Sequence, residues 1–227
     1  MKRRIELVVF DMAGTTVDEG NVVYKTVQKA INDEGFNVSL NDVLKHGAGK
    51  EKHQAITAVL KECTDLEEVE NVAYKAFTNF KIALEKAYHD LDVKTFEGTE
   101  SLFRDLRANQ IKVVLNTGYD AVTANKLLSK LGWKVGVTID ALVTADDVEN
   151  GRPDGDMILK AMQVTAVNDA QKVLKVGDSA IDIEEGKNAG CGMTAGVLTG
   201  AQTREQIQEA NPTYILGNLN GLRAILL

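Results

Sequence analysis

Phe10-Asp11-Met12-Ala13-Gly14-Thr15-Thr16 is the stretch whose reading decides the fold. It closes an apolar run, residues 5–10, that suits a parallel strand buried on both faces. An aspartate at the carboxyl end of such a strand stands where open α/β sheets place their ligands. Gly14 lets the chain turn sharply there, and Thr15 and Thr16 add hydroxyls.

Outward from this stretch the strand pattern stops. Val22, Val23, Val27, Ala30 and Ile31 recur near helical spacing over 22–32, and Gly35 ends that helix. Ser39 or Asn41 caps a short helix ending near His46. His46-Gly47-Ala48-Gly49-Lys50 then reads as a flexible turn before a helix over 50–61. Val69, Ala73, Ala76, Phe77, Phe80, Leu84, Ala87 and Tyr88 form the apolar stripe of a long helix over 66–91. From 93 onward helices (98–108, 121–131, 153–162, 181–188, 203–210) alternate with strands (111–116, 141–144, 173–176, 193–197, 214–216). Such alternation predicts a parallel sheet covered on both faces. The expected fold is therefore α/β. A doubly wound parallel sheet forms the core (1–17 and 93–227), and an all-helical cap (18–92) is inserted after the first strand, with hinges near 18–20 and 93–98.

Composition narrows the function classes. A hydrophobic content of 44% over 227 residues supports a sizeable core. The formal charge of -7 argues against a nucleic-acid surface. Two cysteines, Cys63 and Cys191, make no disulfide framework, and a reducing cytoplasm is expected. Met1-Lys2-Arg3-Arg4 looks like the start of a signal peptide. The apolar run behind it is short and contains Glu6, so targeting is rejected. No stretch approaches the ~20 apolar residues of a membrane helix.

Asp11, Thr117 and Asp178 each follow a separate strand, and an α/β sheet converges such positions on one crevice. Any one alone reads equally as a turn former; three in order, with their surroundings, do not. Those surroundings are Asn116-Thr117-Gly118-Tyr119, Gly151-Arg152-Pro153 and Val176-Gly177-Asp178-Ser179-Ala180-Ile181-Asp182. Together with the opening stretch they resemble the four motifs of the haloacid dehalogenase (HAD) superfamily, which has a Rossmannoid core. The resemblance implies Mg2+-dependent phosphoryl transfer on a small phosphate or phosphonate. A carboxylate attacks a dianionic phosphoryl group poorly unless a divalent cation offsets the like charges. On this reading Asp11 is the nucleophile. Asp11, Asp178 and the main-chain carbonyl of Ala13 ligate the metal, Asp182 orients metal-bound water, and Thr117 and Arg152 position and neutralise the phosphoryl group.

Ala13 narrows the chemistry. Superfamily phosphatases have an aspartate there that protonates the departing alkoxide, an effect worth ~10²–10⁴-fold. Alanine donates no proton, so the chain is either a feeble phosphatase or handles a leaving group that needs none. A carbon leaving group meets the second condition when an imine absorbs the electrons, and a lysine amine condensed with a substrate carbonyl supplies that imine. The cap offers Lys50, behind two glycines at the expected helix start, where the helix dipole and Lys52 disfavour its charge. A solvated lysine is the plainer reading of that position, and Ala13 favours the reactive one.

The resemblance tightens to the phosphonatase branch through Asp11-x-Ala13-Gly14-Thr15-Thr16-Val17-Asp18, Asp146-Asp147-Val148, Gly151-Arg152-Pro153 and Glu185-Gly186-Lys187-Asn188-Ala189-Gly190. Gly47, Lys50 and His53 match that branch's Gly-x-x-Lys-x-x-His segment. The branch implies a Schiff base on Lys50 and pairing of two copies through the cap. His53, about one turn from Lys50, relays protons or packs, and Gly47, Gly118 and Tyr119 contact substrate. His46 replaces the family's methionine, Ala48-Gly49 replace bulkier residues, and a cap cysteine is missing near 20–22. The alternatives are an ordinary phosphomonoesterase, against which Ala13 speaks, and a non-catalytic phospholigand-binding protein, against which Asp11, Arg152, Asp178 and Asp182 speak. His89 and Trp133 read as structural, and Cys191 lies in no nucleophile motif.

Overall fold

The computed structural model describes residues 5–90 and 92–227, with the side chains of all of these except 89 and 90. The basic start Met1–Arg4 and the His89 side chain therefore lie outside the described residues. Six strands form one parallel sheet: β1 (Leu7–Asp11), β4 (Lys112–Asn116), β5 (Ala141–Val143), β6 (Val173–Gly177), β7 (Met193–Val197) and β8 (Tyr214–Leu216). Their order is β5-β4-β1-β6-β7-β8, so the sequence direction reverses at β1. β1 is apolar throughout because both of its faces are covered. Val8 and Phe10 enter one core cluster and Leu7 and Val9 the other.

The helices covering the sheet are α5 (Thr99–Ala108), α6 (Ala121–Leu131), α7 (Asp156–Thr165), α8 (Ala180–Asn188), α9 (Arg204–Glu209) and α10 (Arg223–Leu226). Capping chemistry sets several ends. Asp120 accepts from the Thr123 amide (2.8 Å) to start α6, and Gly132 closes it in the left-handed region. α7 starts three residues later than the proline suggests, because 151–154 first form a turn closed by Asp154 N–H donating to the Gly151 carbonyl (3.1 Å).

Four helices fill the segment between β1 and the rest of the sheet: α1 (Val22–Asp33), α2 (Leu40–Gly47), α3 (Lys52–Cys63) and α4 (Glu70–Asp90). Ser39 caps α2 reciprocally with Asp42. Val27 and Ile31 of α1, Ile56 and Leu60 of α3 and Ala73, Ala76 and Phe80 of α4 bury this layer's apolar faces. The two linkers to the sheet pair as a short antiparallel ribbon, β2 (Val17–Asp18) with β3 (Lys94–Thr95). Its two-residue strands carry no periodic signal, so the sequence reading had only hinges there.

Trp133 is structural, as expected: it is buried, donates to Glu100 Oε1 (2.8 Å) and meets the Phe103 ring edge-on. Phe103 also packs on Phe10 with ring centroids 5.2 Å apart. Among the described residues no helix is long and apolar enough to cross a membrane. Truncation by Phe103→Ala opens a cavity behind β1 and is expected to cost about 3–5 kcal/mol. A urea titration checks this: the midpoint falls while the slope stays unchanged.

Candidate active site

β1, β4 and β6 are neighbours, and their carboxyl ends meet where the strand order reverses. Asp11 ends β1 in register with Asn116 of β4, Thr117 follows β4, and Asp178 follows β6. The turn after Asp11 is held by Thr16 Oγ1 donating to the Asp11 carbonyl (2.9 Å) and by the Met12 carbonyl, which accepts from the Thr16 and Val17 amides. Gly14 sits at φ +79°, and a Cβ there would lie 2.4 Å from Asp178 Oδ2. Glycine is thus needed both for the turn and for the approach of β1 to the Asp178 carboxyl.

Arg152 ties these ends together. Its Nη1 donates to Asp11 Oδ1 (2.7 Å), its Nε to Glu185 Oε2 (2.9 Å), and its Nη2 to the Asn116 side-chain oxygen (2.9 Å) and carbonyl (3.0 Å). Lys175, in the middle of β6, is also fully buried. It donates to Asn116 Oδ1 (2.5 Å) and ion-pairs with Glu185 Oε2 (2.9 Å) and Asp182 Oδ1 (3.0 Å). Asp182 Oδ2 accepts from Ser179 Oγ (2.5 Å). Asp182 Oδ1 lies at ion-pair distance from both cations, yet no N–H is well aligned to it.

The electrostatics divide the carboxyls. Burial opposes the charge on Asp182, but Arg152 and Lys175 outweigh it and hold that carboxyl below its ordinary range. Burial raises Asp11 despite Arg152. Asp178 is raised well above its ordinary value, first by burial and then by the charges of Asp11 and Asp182. The cluster holds four buried carboxyls (Asp11, Asp178, Asp182, Glu185) and two buried cations paired with carboxylates (Arg152, Lys175), an excess of two formal negative charges within it. Among the described residues no three His, Cys, Asp or Glu side chains form a ready-made cage. Two mutually repelling carboxylates suit a hard divalent cation that keeps several waters of its own. Asp11 and Asp178 fit that description.

The helical layer closes over this cluster through residues 47–52. Gly49, at φ +75°, has no room for a Cβ, which would lie 2.2 Å from Ile181 Cγ2. Its amide donates to the Tyr24 hydroxyl (3.1 Å), and its carbonyl accepts from Arg152 Nη1 (3.4 Å). That turn delays α3. Glu51 rather than an earlier residue accepts from the Gln54 amide (3.1 Å), and the helix begins at Lys52, two residues beyond the expected start.

The delay changes which lysine is enclosed. Lys50 is half-buried, and its carbonyl accepts from Lys52 Nζ (2.6 Å). The Lys52 side chain is buried, with Nζ 5.3 Å from the Tyr119 ring centroid and 5.6 Å from that of Tyr24. Burial lowers its pKa to about 8 against the raising influence of Asp11, Glu51 and Glu19. Lys52, Gly118, Tyr119, Phe80, Leu84 and Tyr88 line a cavity of about 400 Å³ between the helical layer and the sheet. Among the described residues its walls do not include Lys50, Gly47 or His53. Gly47 packs against α3 near Ala55, and His53 meets Phe77 edge-on at 5.4 Å.

Thr117 is buried, and its hydroxyl accepts from the Tyr119 amide (3.2 Å). The Tyr88 and Tyr119 hydroxyls are buried with no aligned hydrogen-bond partner among the described residues. Burial pushes the Cys191 thiol up to about 12, which suits an inert residue. The sequence reading had not singled out Lys175, Glu19 or the Asn116 side chain as site residues. A charged residue inside an apolar strand was the available signal for Lys175. Glu19, buried at the head of α1, accepts from the Val23 amide (3.1 Å), and burial raises it to about 7.

The family model for haloacid dehalogenase-like hydrolases matches residues 8–196, and the chain belongs to that family. A phosphonoacetaldehyde hydrolase from Latilactobacillus sakei is 27% identical over 98% of this chain and 95% of its own. A solved hydrolase from Pseudomonas syringae superposes with TM-score 0.84 at 21% identity, covering 98% of this chain and all of that one. A phosphonoacetaldehyde hydrolase-like protein from Oleispira antarctica gives 0.83 at 24%, covering 99% and 92%. At those identities the solved structures establish the shared fold.

The shifted lysine gives a stability signature. Because its pKa in the folded chain lies below the unfolded value of 10.5, Lys52 costs stability at neutral pH, and the cost fades as pH climbs from about 8 to 10.5. Relative to Lys52→Met, the natural chain should gain about 3 kcal/mol between pH 7 and pH 10.5. Paired denaturant titrations at the two pH values measure this difference.

Proposed function

We propose that the chain is a Mg2+-dependent hydrolase that cleaves the carbon–phosphorus bond of phosphonoacetaldehyde or a related 2-oxoalkylphosphonate. One observation carries this reading: the acid that superfamily phosphatases use is replaced by Ala13, while a buried lysine amine lies on the wall of the cavity beside Gly118 and Tyr119. The named phosphonoacetaldehyde hydrolase relative, matched over nearly the whole of both chains, supports it.

Asp11, Asp178 and the Ala13 carbonyl would hold the magnesium ion, with Asp182 orienting its water. Bound magnesium would supply the charge neutralisation that lets a carboxylate approach a dianionic phosphoryl group. The Asp11 carboxylate attacks phosphorus, and Arg152 keeps that carboxylate oriented through its 2.7 Å bond. Thr117 and the neighbouring Gly118 backbone receive the phosphoryl oxygens. A lysine of the lid segment 47–53 condenses with the substrate carbonyl, so the electrons of the breaking bond end on nitrogen. Water then releases phosphate from Asp11, and the imine hydrolyses to the carbonyl product. Closure of the helical layer keeps bulk water from the imine. The free cysteines Cys63 and Cys191 support a reducing cytoplasm as its setting. Tyr74 and Ile82, exposed on α4, support pairing of two copies through that layer.

The test is phosphate release from phosphonoacetaldehyde beside a panel of phosphate esters, with and without a chelator. The expected result is metal-dependent release from the phosphonate, inactivation by borohydride only when substrate is present, and a loss of ~10⁴-fold or more in Asp11→Asn. Turnover confined to esters and indifferent to borohydride would instead make the chain a phosphomonoesterase.

A further inference from the structure

We propose that Lys52, rather than the motif-matching Lys50, is the amine that bonds to the substrate carbonyl. The inference rests on the carbonyl-phosphonate reading above and names the atom that performs its first step.

Three buried cations stand near the crevice, and they are not equivalent. Arg152 and Lys175 are each paired with carboxylates at 2.7–3.2 Å. Lys52 has no carboxylate within ion-pair distance among the described residues; its Nζ donates to a neutral main-chain carbonyl, that of Lys50. A buried ammonium without a counter-charge is expensive to keep. The two tyrosine rings that flank it offset only part of that cost. An amine in these surroundings is driven toward its neutral, nucleophilic form, and with its pKa at about 8 roughly a tenth of it is free at pH 7. Lys52 is also the first residue of α3, where the helix dipole opposes a positive charge.

Position agrees with protonation. Lys52 shares the cavity wall with Gly118 and Tyr119, the residues that follow Thr117, and the charge of Asp11 is felt at its amine. Lys50 faces this region with its carbonyl, which lies 3.2 Å from where a Gly118 Cβ would be. Tyr88 and Tyr119 line the same cavity.

The step balances as follows. The Lys52 amine adds to the carbonyl carbon, forming a C–N bond, and the carbonyl oxygen takes up the proton the nitrogen sheds. The resulting hydroxyl leaves as water with a second proton, taken up from solvent. The protonated imine then accepts the electron pair of the C–P bond as phosphorus passes to Asp11, leaving an enamine. Protonation at carbon and addition of water return the carbonyl product and the free amine.

Glu51 separates the two lysines, so a protease that cuts after glutamate places them on different peptides. The full-length chain is mixed with phosphonoacetaldehyde, reduced with borohydride, digested in this way and mapped by mass spectrometry. The adduct is expected on the peptide that begins at Lys52. Substrate-dependent trapping in Lys52→Arg should fall to the substrate-free control, with circular dichroism confirming the fold. If that variant does not fold, the natural chain's adduct map decides. An adduct on Lys50 or any other lysine overturns Lys52 and leaves the carbonyl-phosphonate reading standing. Phosphate release from phosphonoacetaldehyde with no adduct overturns the imine on Lys52 as well. Turnover of phosphate esters alone removes both.

Discussion

The bond from Arg152 to Asp11 is the contact on which the site depends. Arg152 is buried with its guanidinium divided among Asp11, Asp182, Glu185 and Asn116. These partners come from three adjacent strands or the turns and helices that follow them, so the guanidinium fixes the strand ends relative to one another. Replacing one member of such a group leaves an uncompensated buried charge, typically a loss of about 3–5 kcal/mol. Lys175 performs the same neutralisation one layer further from the crevice, beneath Asp182 and Glu185. The network is therefore deeper than the resemblance alone implies, and its inner half is structural while its outer half faces the chemistry.

The same guanidinium connects the site to the lid. Arg152 Nη1 reaches both Asp11 and the Gly49 carbonyl, and Gly49 is pressed against Ile181 of α8. The helical layer thus contacts Asp11's own partner. The ribbon of β2 and β3 binds the two linkers to each other, with Thr95 Oγ1 donating to the Thr16 carbonyl (3.0 Å). The turn that carries Ala13 and Gly14 is consequently braced against the return strand, while the helices above it are held by the glycine turn and by side chains.

Most of the architecture was legible in the sequence because periodicity reports burial. The all-apolar β1 and the helix–strand alternation after residue 93 follow from faces that must be covered. Helix boundaries were legible where a cap was present, as at Ser39 and Gly132, and shifted where a turn intervened, as at Gly49 and before Asp156. Asp11, Arg152, Asp178 and Asp182 could be found because their spacing matches known motifs. Lys175 and Glu19 were missed: Lys175 is one charge inside a strand read for its apolar neighbours, and Glu19 lies in the linker read as a hinge. The meaning of Lys175 lies in Asp182, Glu185 and Asn116, 7 to 59 residues away, and pairing at such range leaves no local pattern.

The lysine pair shows how a small change in backbone phase decides which amine is enclosed. Residues two apart on a helix lie on opposite sides, so a helix beginning at 50 would set Lys50 and Lys52 against each other across its axis. Gly49 in the left-handed region and Glu51 as cap start the helix at 52 instead. Lys50 then lies before the first turn, with its carbonyl accepting, and the ammonium at 52 takes the enclosed position between two tyrosine rings. The glycine that allows the lid to touch α8 is also the residue that delays the helix. Close fit of lid to core and choice of the enclosed amine are therefore one consequence of a single backbone conformation, and a side chain at 49 would disturb both together.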